Sequence, residues 1–223
     1  VAPVVAINKP LNKTFNSSGS VNISFTVTEN NLDSCSLFTN ETGSWALDHS
    51  ALASEFTSGH GYNMTFTASD GSYMVNVTCN DSAGGRNVNA SDYLITIDTA
   101  APIINFINMT GGSATGNWTS NGNITFRVNV TDRTADSCVV YTNLTSGAGA
   151  MTNRSNVTFS YTDNATSNSA AQVFADGSYL WNVTCNDSAA NLDSTYGATI
   201  NFNVDTVAPV VAINKPLNKT FNS

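Results

Sequence analysis

The chain is short of charge. Asp, Glu, Lys and Arg together make up 11% of its 223 residues, where a soluble domain ordinarily carries about 25%. Asn, Ser and Thr fill the gap, so the surface is neutral and rich in amides and hydroxyls. Little charge repulsion remains to keep neighbouring sheets apart, and something else must supply solubility. Positive charge is scarcest. The lysines are Lys9, Lys13, Lys215 and Lys219 and the arginines Arg86, Arg127, Arg133 and Arg154, leaving a net charge of −8 and a pI of about 4.4. With no basic cluster, nucleic acid and anionic membrane surfaces are excluded as partners. No apolar run approaches the roughly 18 residues of a membrane span. The opening VAPVVAINKP has neither the basic n-region nor the apolar h-region of a signal peptide. The sequence is therefore expected to be mature or cut from something longer.

Catalytic constellations are missing as well. The histidines are His49 and His60, both in the first half, so a Ser-His-Asp arrangement cannot recur in the second. No glycine-rich phosphate loop, H-E-x-x-H or paired-carboxylate motif stands out. No C-x-x-C suggests zinc. No catalytic residue and no enzymatic activity are expected. Lysine-dependent isopeptide cross-links are excluded between residues 100 and 206, which contain no lysine.

What the chain does have is repetition. Residues 1–17, VAPVVAINKPLNKTFNS, return unchanged at 207–223, a period of 206 residues (207 − 1). The simplest reading is a window slightly longer than one period of an extended array; a chain with duplicated ends is the other. A diverged repeat lies inside the first. TIDTAAPIINFIN (96–108) lines up with NVDTVAPVVAIN (203–214), and Pro3, Pro102 and Pro209 are 99 (102 − 3) and 107 (209 − 102) residues apart. Each interval holds the same ordered markers: VNISFTV or NITFRVNV, then DSCSLFTN or DSCVVYTN, then DGSY running into NVTCNDSA. The expected organisation is two similar domains, 1–99 and 100–206, with 207–223 as the first strand of the next copy.

Both domains read as all-β. Ile23, Phe25 and Val27 alternate with Asn22, Ser24 and Thr26, as Ile124, Phe126 and Val128 do with Asn123, Thr125 and Arg127. This is the period-2 pattern of a half-buried strand. In the later strand Tyr73, Val75, Val77 and Cys79 share one face, as do Tyr179, Trp181, Val183 and Cys185. Short strands separated by Gly, Asn, Ser and Asp turns describe a β-sandwich. The stretch Trp45–Phe56 has room for one helical turn and no more. Trp181, aligned with Val75, belongs to the core, and Trp45 and Trp118 are expected in the core or beneath sugar rather than as carbohydrate-binding platforms.

The D-T-x-A-P junctions, the DGSY turn into N-V-T-C-N-D and the C-S-L-x-T-N stretch resemble tandem immunoglobulin-like repeats of extracellular surface proteins. They are most similar to repeats of archaeal cell-surface glycoproteins, with bacterial Ig-like repeats as more distant relatives. The resemblance spans essentially the whole chain and implies architecture more than a biochemical task. One departure matters. Antibody domains place a tyrosine two residues before the second cysteine, whereas Tyr73 and Tyr179 stand six before Cys79 and Cys185. The first cysteine also follows the Ile/Phe/Val strand instead of lying in it. A disulfide here is expected to join neighbouring strands or a strand end, not to staple the two sheets.

Four cysteines allow three pairings. Their matched order in two similar domains favours Cys35–Cys79 and Cys138–Cys185, enclosing 44 and 47 residues. Reduced buried thiols in a cytosolic protein are the alternative. A disulfide framework fits an oxidising, extracellular location.

Asn-x-Ser/Thr, the acceptor pattern for N-glycans, is dense. It falls at Asn12, Asn16, Asn22, Asn40, Asn63, Asn76, Asn80 and Asn89. It continues at Asn108, Asn117, Asn123, Asn129, Asn143, Asn153, Asn156, Asn164, Asn182 and Asn186, and Asn218 repeats Asn12. A chain rich in Asn, Ser and Thr makes such triplets by accident. In a strand, however, residues i and i+2 share a face. Triplets at Asn22, Asn123, Asn76 and Asn182 should therefore point outward where Val or Ile points in, coating both outer faces of the sandwich. Asn40 and Asn143 are expected in a turn beyond the first cysteine. Covalent N-glycans are thus expected, and they would block sheet-to-sheet association where charged gatekeepers are missing.

Ca²⁺ is the one ion to weigh. Glu29, Asn30, Asn31 and Asp33 cluster in a loop, as do Asp132 and Asp136, and Asp98 and Asp205 sit at the junctions. Oxygen-rich loops near boundaries can hold it, but solvated turn residues are the commoner explanation, and no metal ligand is assigned. The function expected is a structural part of a heavily N-glycosylated extracellular filament or surface appendage, its partners further copies of itself. A stalk carrying an adhesin tip, or a donor-strand-assembled pilus-like subunit, are the alternatives.

Overall fold

Alternation in the sequence becomes alternation in burial. Along Ser20–Thr28, Val21, Ile23, Phe25 and Val27 are buried while their neighbours face outward. Ile124, Phe126 and Val128 repeat this in Asn123–Thr131. The computed structural model describes residues 1–55, 57–88, 91–110, 118–143, 151–158, 165–191, 194–195, 197 and 199–212.

The first unit is built from β1 (Val4–Lys9), β2 (Thr14–Asn16), β3 (Ser20–Thr28), β4 (Leu32–Thr39), β5 (Ala46–Leu52), β6 (Gly61–Thr67), β7 (Gly71–Asp81), β8 (Arg86–Val88) and β9 (Tyr93–Ile97). One sheet has the order β1-β3-β6; the other runs β2-β9-β7-β4-β5, with β8 also on β7. The second unit has β10 (Ile103–Thr110), β11 (Trp118–Thr119), β12 (Asn123–Thr131), β13 (Ala135–Asn143), β14 (Met151–Thr158), β15 (Ala165–Asn168), β16 (Gln172–Val173), β17 (Gly177–Asp187), β18 (Ser194–Thr195) and β19 (Ile200–Val204). Its sheets repeat the plan as β10-β12-β15, with β16 on β12, and β11-β19-β17-β13-β14, with β18 on β17. In each unit the inner faces of two sheets enclose one hydrophobic cluster, and the two clusters share no residue. This is an immunoglobulin-like β-sandwich made twice. Among the described residues no helix is long and apolar enough to cross a membrane.

One detail meets the sequence reading and one was not legible in it. The Trp45–Phe56 stretch is mostly strand β5, with a single 3₁₀ turn at Ala53–Glu55. The pairs β2–β9 and β11–β19 are parallel, setting Thr14 to Asn16 beside Ile95 to Ile97, and Trp118 and Thr119 beside Asn203 and Val204. All other pairs among the described residues are antiparallel.

The disulfides are Cys35–Cys79 and Cys138–Cys185. Each joins directly opposite residues of adjacent strands in the larger sheet, β4 with β7 and β13 with β17. Cα separations of 4.1 and 4.0 Å are those of a closely spaced antiparallel pair. The bridge therefore lies within one sheet, as the cysteine–tyrosine spacing indicated. Closing loops of this size in the unfolded chain contributes about 4 kcal/mol each in the chain-entropy account. Tyr73 and Tyr179 do a matched job: each hydroxyl donates to a carbonyl four residues upstream, of Ser69 at 2.8 Å and Ala175 at 3.1 Å.

Candidate functional site

Two sets of residues are candidates for function: the acceptor asparagines on the sheet faces and the polar cluster where the units meet. The strand pleat decides the first set. Asn22 and Asn63 are exposed on adjacent strands β3 and β6, and Asn108 and Asn123 on β10 and β12. Asn12 is exposed in the turn before β2, with Leu94 N donating to its Oδ1 at 2.8 Å. Asn16, Asn40, Asn76, Asn80, Asn182 and Asn186 are half-buried. Asn89, Asn117, Asn164 and Asn218 lie outside the described residues, as do the side chains of Asn153 and Asn156 on β14.

Three sequence expectations need correction. Asn143 is not in a turn: it is the last residue of β13 and 1% exposed. Its Oδ1 accepts the Leu180 N–H at 2.6 Å, and Asn40 does the same for Met74 at 2.7 Å. Both asparagines thus bracket the neighbouring strand where the ladder ends. Asn129 is 6% exposed; its Nδ2 donates to Thr166 Oγ1, and its Oδ1 accepts from Asn105 Nδ2, both at 2.7 Å. Asn129 and Asn143 are thus the buried members of the acceptor set among the described side chains. Finally, Thr78 does not face water with Asn76. It is buried on the outer face, in a hollow of about 320 Å³ that Phe38, Trp45, Asn76, Arg86 and Asp92 also line. Asn76 Nδ2 donates there to Asp92 Oδ1 at 2.6 Å. Trp45 and Trp118 are exposed and Trp181 is buried.

The second set begins where β9 ends. Asp98 N donates to Asn16 O at 2.9 Å, and Asp70 Oδ1 accepts both the amide and the hydroxyl of Thr99 at 3.0 Å. The exit from the second unit is the same: Asp205 N donates to Thr119 O at 2.9 Å, and Asp176 Oδ1 accepts Thr206 N at 2.9 Å and Thr206 Oγ1 at 2.7 Å. The Thr206 hydroxyl first, and its amide second, hold the Asp176 carboxyl below its ordinary value of 3.8.

From this clamped exit Asp98 turns into the base of the second unit. Its Oδ2 accepts the Thr134 hydroxyl at 2.7 Å. Asp132 Oδ1 accepts Thr134 N at 2.8 Å. Asp187 accepts from Asn191 twice, N to Oδ1 at 3.0 Å and Nδ2 to Oδ2 at 2.7 Å. Asn191 Nδ2 also lies 2.7 Å from Asp98 O and 2.8 Å from Ala100 O. With two hydrogens for three acceptors, one of them is shared. Carboxylate oxygens of Asp98, Asp132 and Asp187, exposed by 1, 6 and 3%, lie within 4.8 Å of one another.

Such oxygens are of the type hard cations take; in this arrangement they accept from the uncharged donors of Thr134 and Asn191. The chemistry on view is a hydrogen-bonded latch tying the linker to the second unit. The acidic residues singled out from sequence distribute differently. Asp98 and Asp132 meet, but Asp136 faces Asn186 at 3.5 Å, Asp205 Oδ1 accepts Val207 N at 3.1 Å, and Glu29 accepts the amides of Asn30 and Asn31. Asp187, Asn191 and Thr134 were missed. The signal available was the aspartate of NVTCNDSA, read only as part of an acceptor triplet.

No protein-family model and no curated relative matches the chain. Among solved structures it is similar to the FN1–FN3 domains of chicken CNTN1, at 14% identity over 92% of this chain and 67% of that one, TM-score 0.37. It is also similar to a 1.5-MDa bacterial ice-binding adhesin, at 16% identity over 93% and 67%, TM-score 0.40. A third likeness is to the tetra-tandem repeat in the extending region of a large adhesion protein, at 14% identity, 92% of this chain and 49% of that one, TM-score 0.42. The chain thus spans about half the length of the last.

Proposed function

We propose that the chain is a structural repeating segment of an N-glycosylated extracellular filament or cell-surface appendage. The observation that carries this reading is the unchanged return of residues 1–17 at 207–223. A surface under selection only to fold would not keep every solvent-facing residue of such a stretch. Two in-sheet disulfides support an oxidising location, and the low charge supports a coat that is not ionic. The similarity of its motifs to archaeal cell-surface glycoproteins belongs to the same reading.

The acceptor positions refine the coat. Fully exposed acceptors on strands fall on the smaller sheet of each unit: Asn22 and Asn63 in the first, Asn108 and Asn123 in the second. Among the described side chains, those on the larger sheets are half-buried or sealed. Sugar would accordingly lie mainly along one side of each sandwich. An adhesin stalk shares this architecture and differs only in what its tip carries. Donor-strand assembly is less well supported, because β1 of the same chain already fills the edge of β3, pairing Val4 with Thr28 through Lys9 with Ser24.

Reducing, denaturing electrophoresis of native material after deglycosylation tests the array. Very large chains are expected, and discrete chains near 23.5 kDa would overturn it. Enzymatic deglycosylation in heavy-oxygen water, followed by peptide mapping, marks occupied asparagines. Label at Asn22, Asn63, Asn108 and Asn123 is expected, and its absence from all four would sink the coat.

A further inference from the structure

The two units differ at one pole, the end at which the chain enters. In the second unit that pole is covered: Asp132, Thr134, Ala135 and Asp187 are all buried against or beside the Asp98–Ala100 linker. Aligning the cysteines places Glu29, Asn31, Leu32 and Asp81 at the same positions in the first unit. There Asn31 is exposed and Glu29 and Leu32 are half-exposed, while Asp81 is buried like Asp187. The fold beneath is the same in both. Leu32 and Ala135 oppose Asp81 and Asp187 in register, and Ser82 N and Ser188 N donate to Asn31 O and Thr134 O.

We propose that this open pole is the seat for Asp205 of a second copy of the chain, forming a second kind of joint that alternates with the one around Asp98. The proposal rests on the array reading, and three observations fix the occupant. Asp205 leaves its unit through the same clamp as Asp98, with Asp176 and Thr206 in the places of Asp70 and Thr99. The spacer is the same length: Ile103 opens β10 five residues after Asp98, and Val210, the repeat of Val4 that opens β1, stands five after Asp205. Pro102 and Pro209 occupy the same place within it.

The chemistry of the seat follows from its residues. Asp205 replaces Asp98, the Asn31 amide replaces the Thr134 hydroxyl as donor to it, and Glu29 and Asp81 replace Asp132 and Asp187. Asn191 has no counterpart, because Gly85 stands there; its N–H still closes the turn on Asp81 Oδ1 at 2.7 Å, but it has no amide to reach the linker. Instead Asn87 Nδ2 donates to Pro3 O at 2.7 Å. The joint at Asp205 therefore draws on different donors from the joint at Asp98, and the two kinds of joint alternate.

The test uses the full chain extended at its end by residues 18–99 of a second copy, so that the first unit occurs twice, once open and once seated. Leu32→Cys is placed in one copy or the other, and labelling of the new thiol by a maleimide is timed. The seated thiol is expected to react about tenfold more slowly or less than the open one, and Asp205→Arg is expected to bring the two rates together. Equal rates with Asp205 intact overturn the proposal. Segmental ¹⁵N labelling of the appended residues makes the same comparison without a substitution. The Asn31 side-chain amide shifts on seating, and a spectrum matching the open copy overturns the seat. Native chains of discrete size would refute the array while leaving this measurement standing, so the two failures are distinguishable.

Discussion

The two sandwiches share a wiring diagram but fill it differently. The second unit packs Phe126, Phe174, Tyr179, Trp181 and Phe202 against one another, with Phe126 and Trp181 centroids 4.7 Å apart and Tyr179 stacked on Phe202 at 5.3 Å. The equivalent places in the first unit hold Ile23, Ala68, Tyr73, Val75 and Ile95. Across the core the exchange runs the other way, with Phe66 opposite Val21 in the place of Gln172 opposite Ile124. Aromatic bulk has moved from the smaller sheet to the larger. Which strand supplies hydrophobic volume between the two sheets is free to drift. What has not drifted is the polar bracing: the paired cysteines, the tyrosine hydroxyls four residues from their acceptors, and Asn40 with Asn143.

That contrast can be broken in stages. The bridges should matter most and equally. Replacing Cys35 and Cys79, or Cys138 and Cys185, by serine pairs is expected to cost about 4 kcal/mol in either unit, read from denaturant midpoints. A large inequality would mean the units do not share one unfolded-state constraint. Next comes the core. Trp181→Ala should cost about 3–5 kcal/mol, and Val75→Ala at the same place about 2, since the cavity left is smaller. Thermal unfolding followed by the fluorescence of the remaining tryptophans and tyrosines checks the order.

The brackets separate the units by burial. Asn143→Leu strands the Leu180 N–H in a dry place and should cost about 2 kcal/mol, whereas Asn40→Leu leaves the Met74 N–H closer to water and should cost about 1. Hydrogen exchange at those two amides reports each loss directly. Smallest is the pH effect at Asp176. Its folded pKa is depressed by Thr206, so the stabilisation is present above the ordinary carboxylate value and is lost as pH falls through the folded one. A carboxyl titration by NMR should place its midpoint below 3.8, with the Thr206 amide shift following it; a midpoint at or above that value would remove the clamp.

Strand alternation made most of the fold legible. Once Ile23, Phe25 and Val27 pointed inward, the sandwich and the core position of Trp181 followed, while the in-sheet bridge was read from where the cysteines, Tyr73 and Tyr179 depart from the antibody pattern. The acceptor set was legible only as a pattern. Asn22 and Asn143 sit in equally good triplets, and what separates them is a Leu180 N–H on a strand 37 residues away. The junction was read in part. Asp98 and Asp132 were singled out for their charge, yet Asp187 and Asn191 reach them only through the β13–β17 pairing. A long-range register of that kind leaves no local mark in the sequence.

The parallel pairing of β2 with β9, and of β11 with β19, has a mechanical consequence. In each unit the strand near the chain's entry lies beside the strand at its exit, and the two run the same way. A pull applied between the ends draws these neighbours along each other in opposite directions. Their hydrogen bonds are loaded together, in shear, and must break as a group. Antiparallel terminal strands would peel one bond at a time from the open end. Each unit built this way meets tension with a group of bonds rather than with a single one.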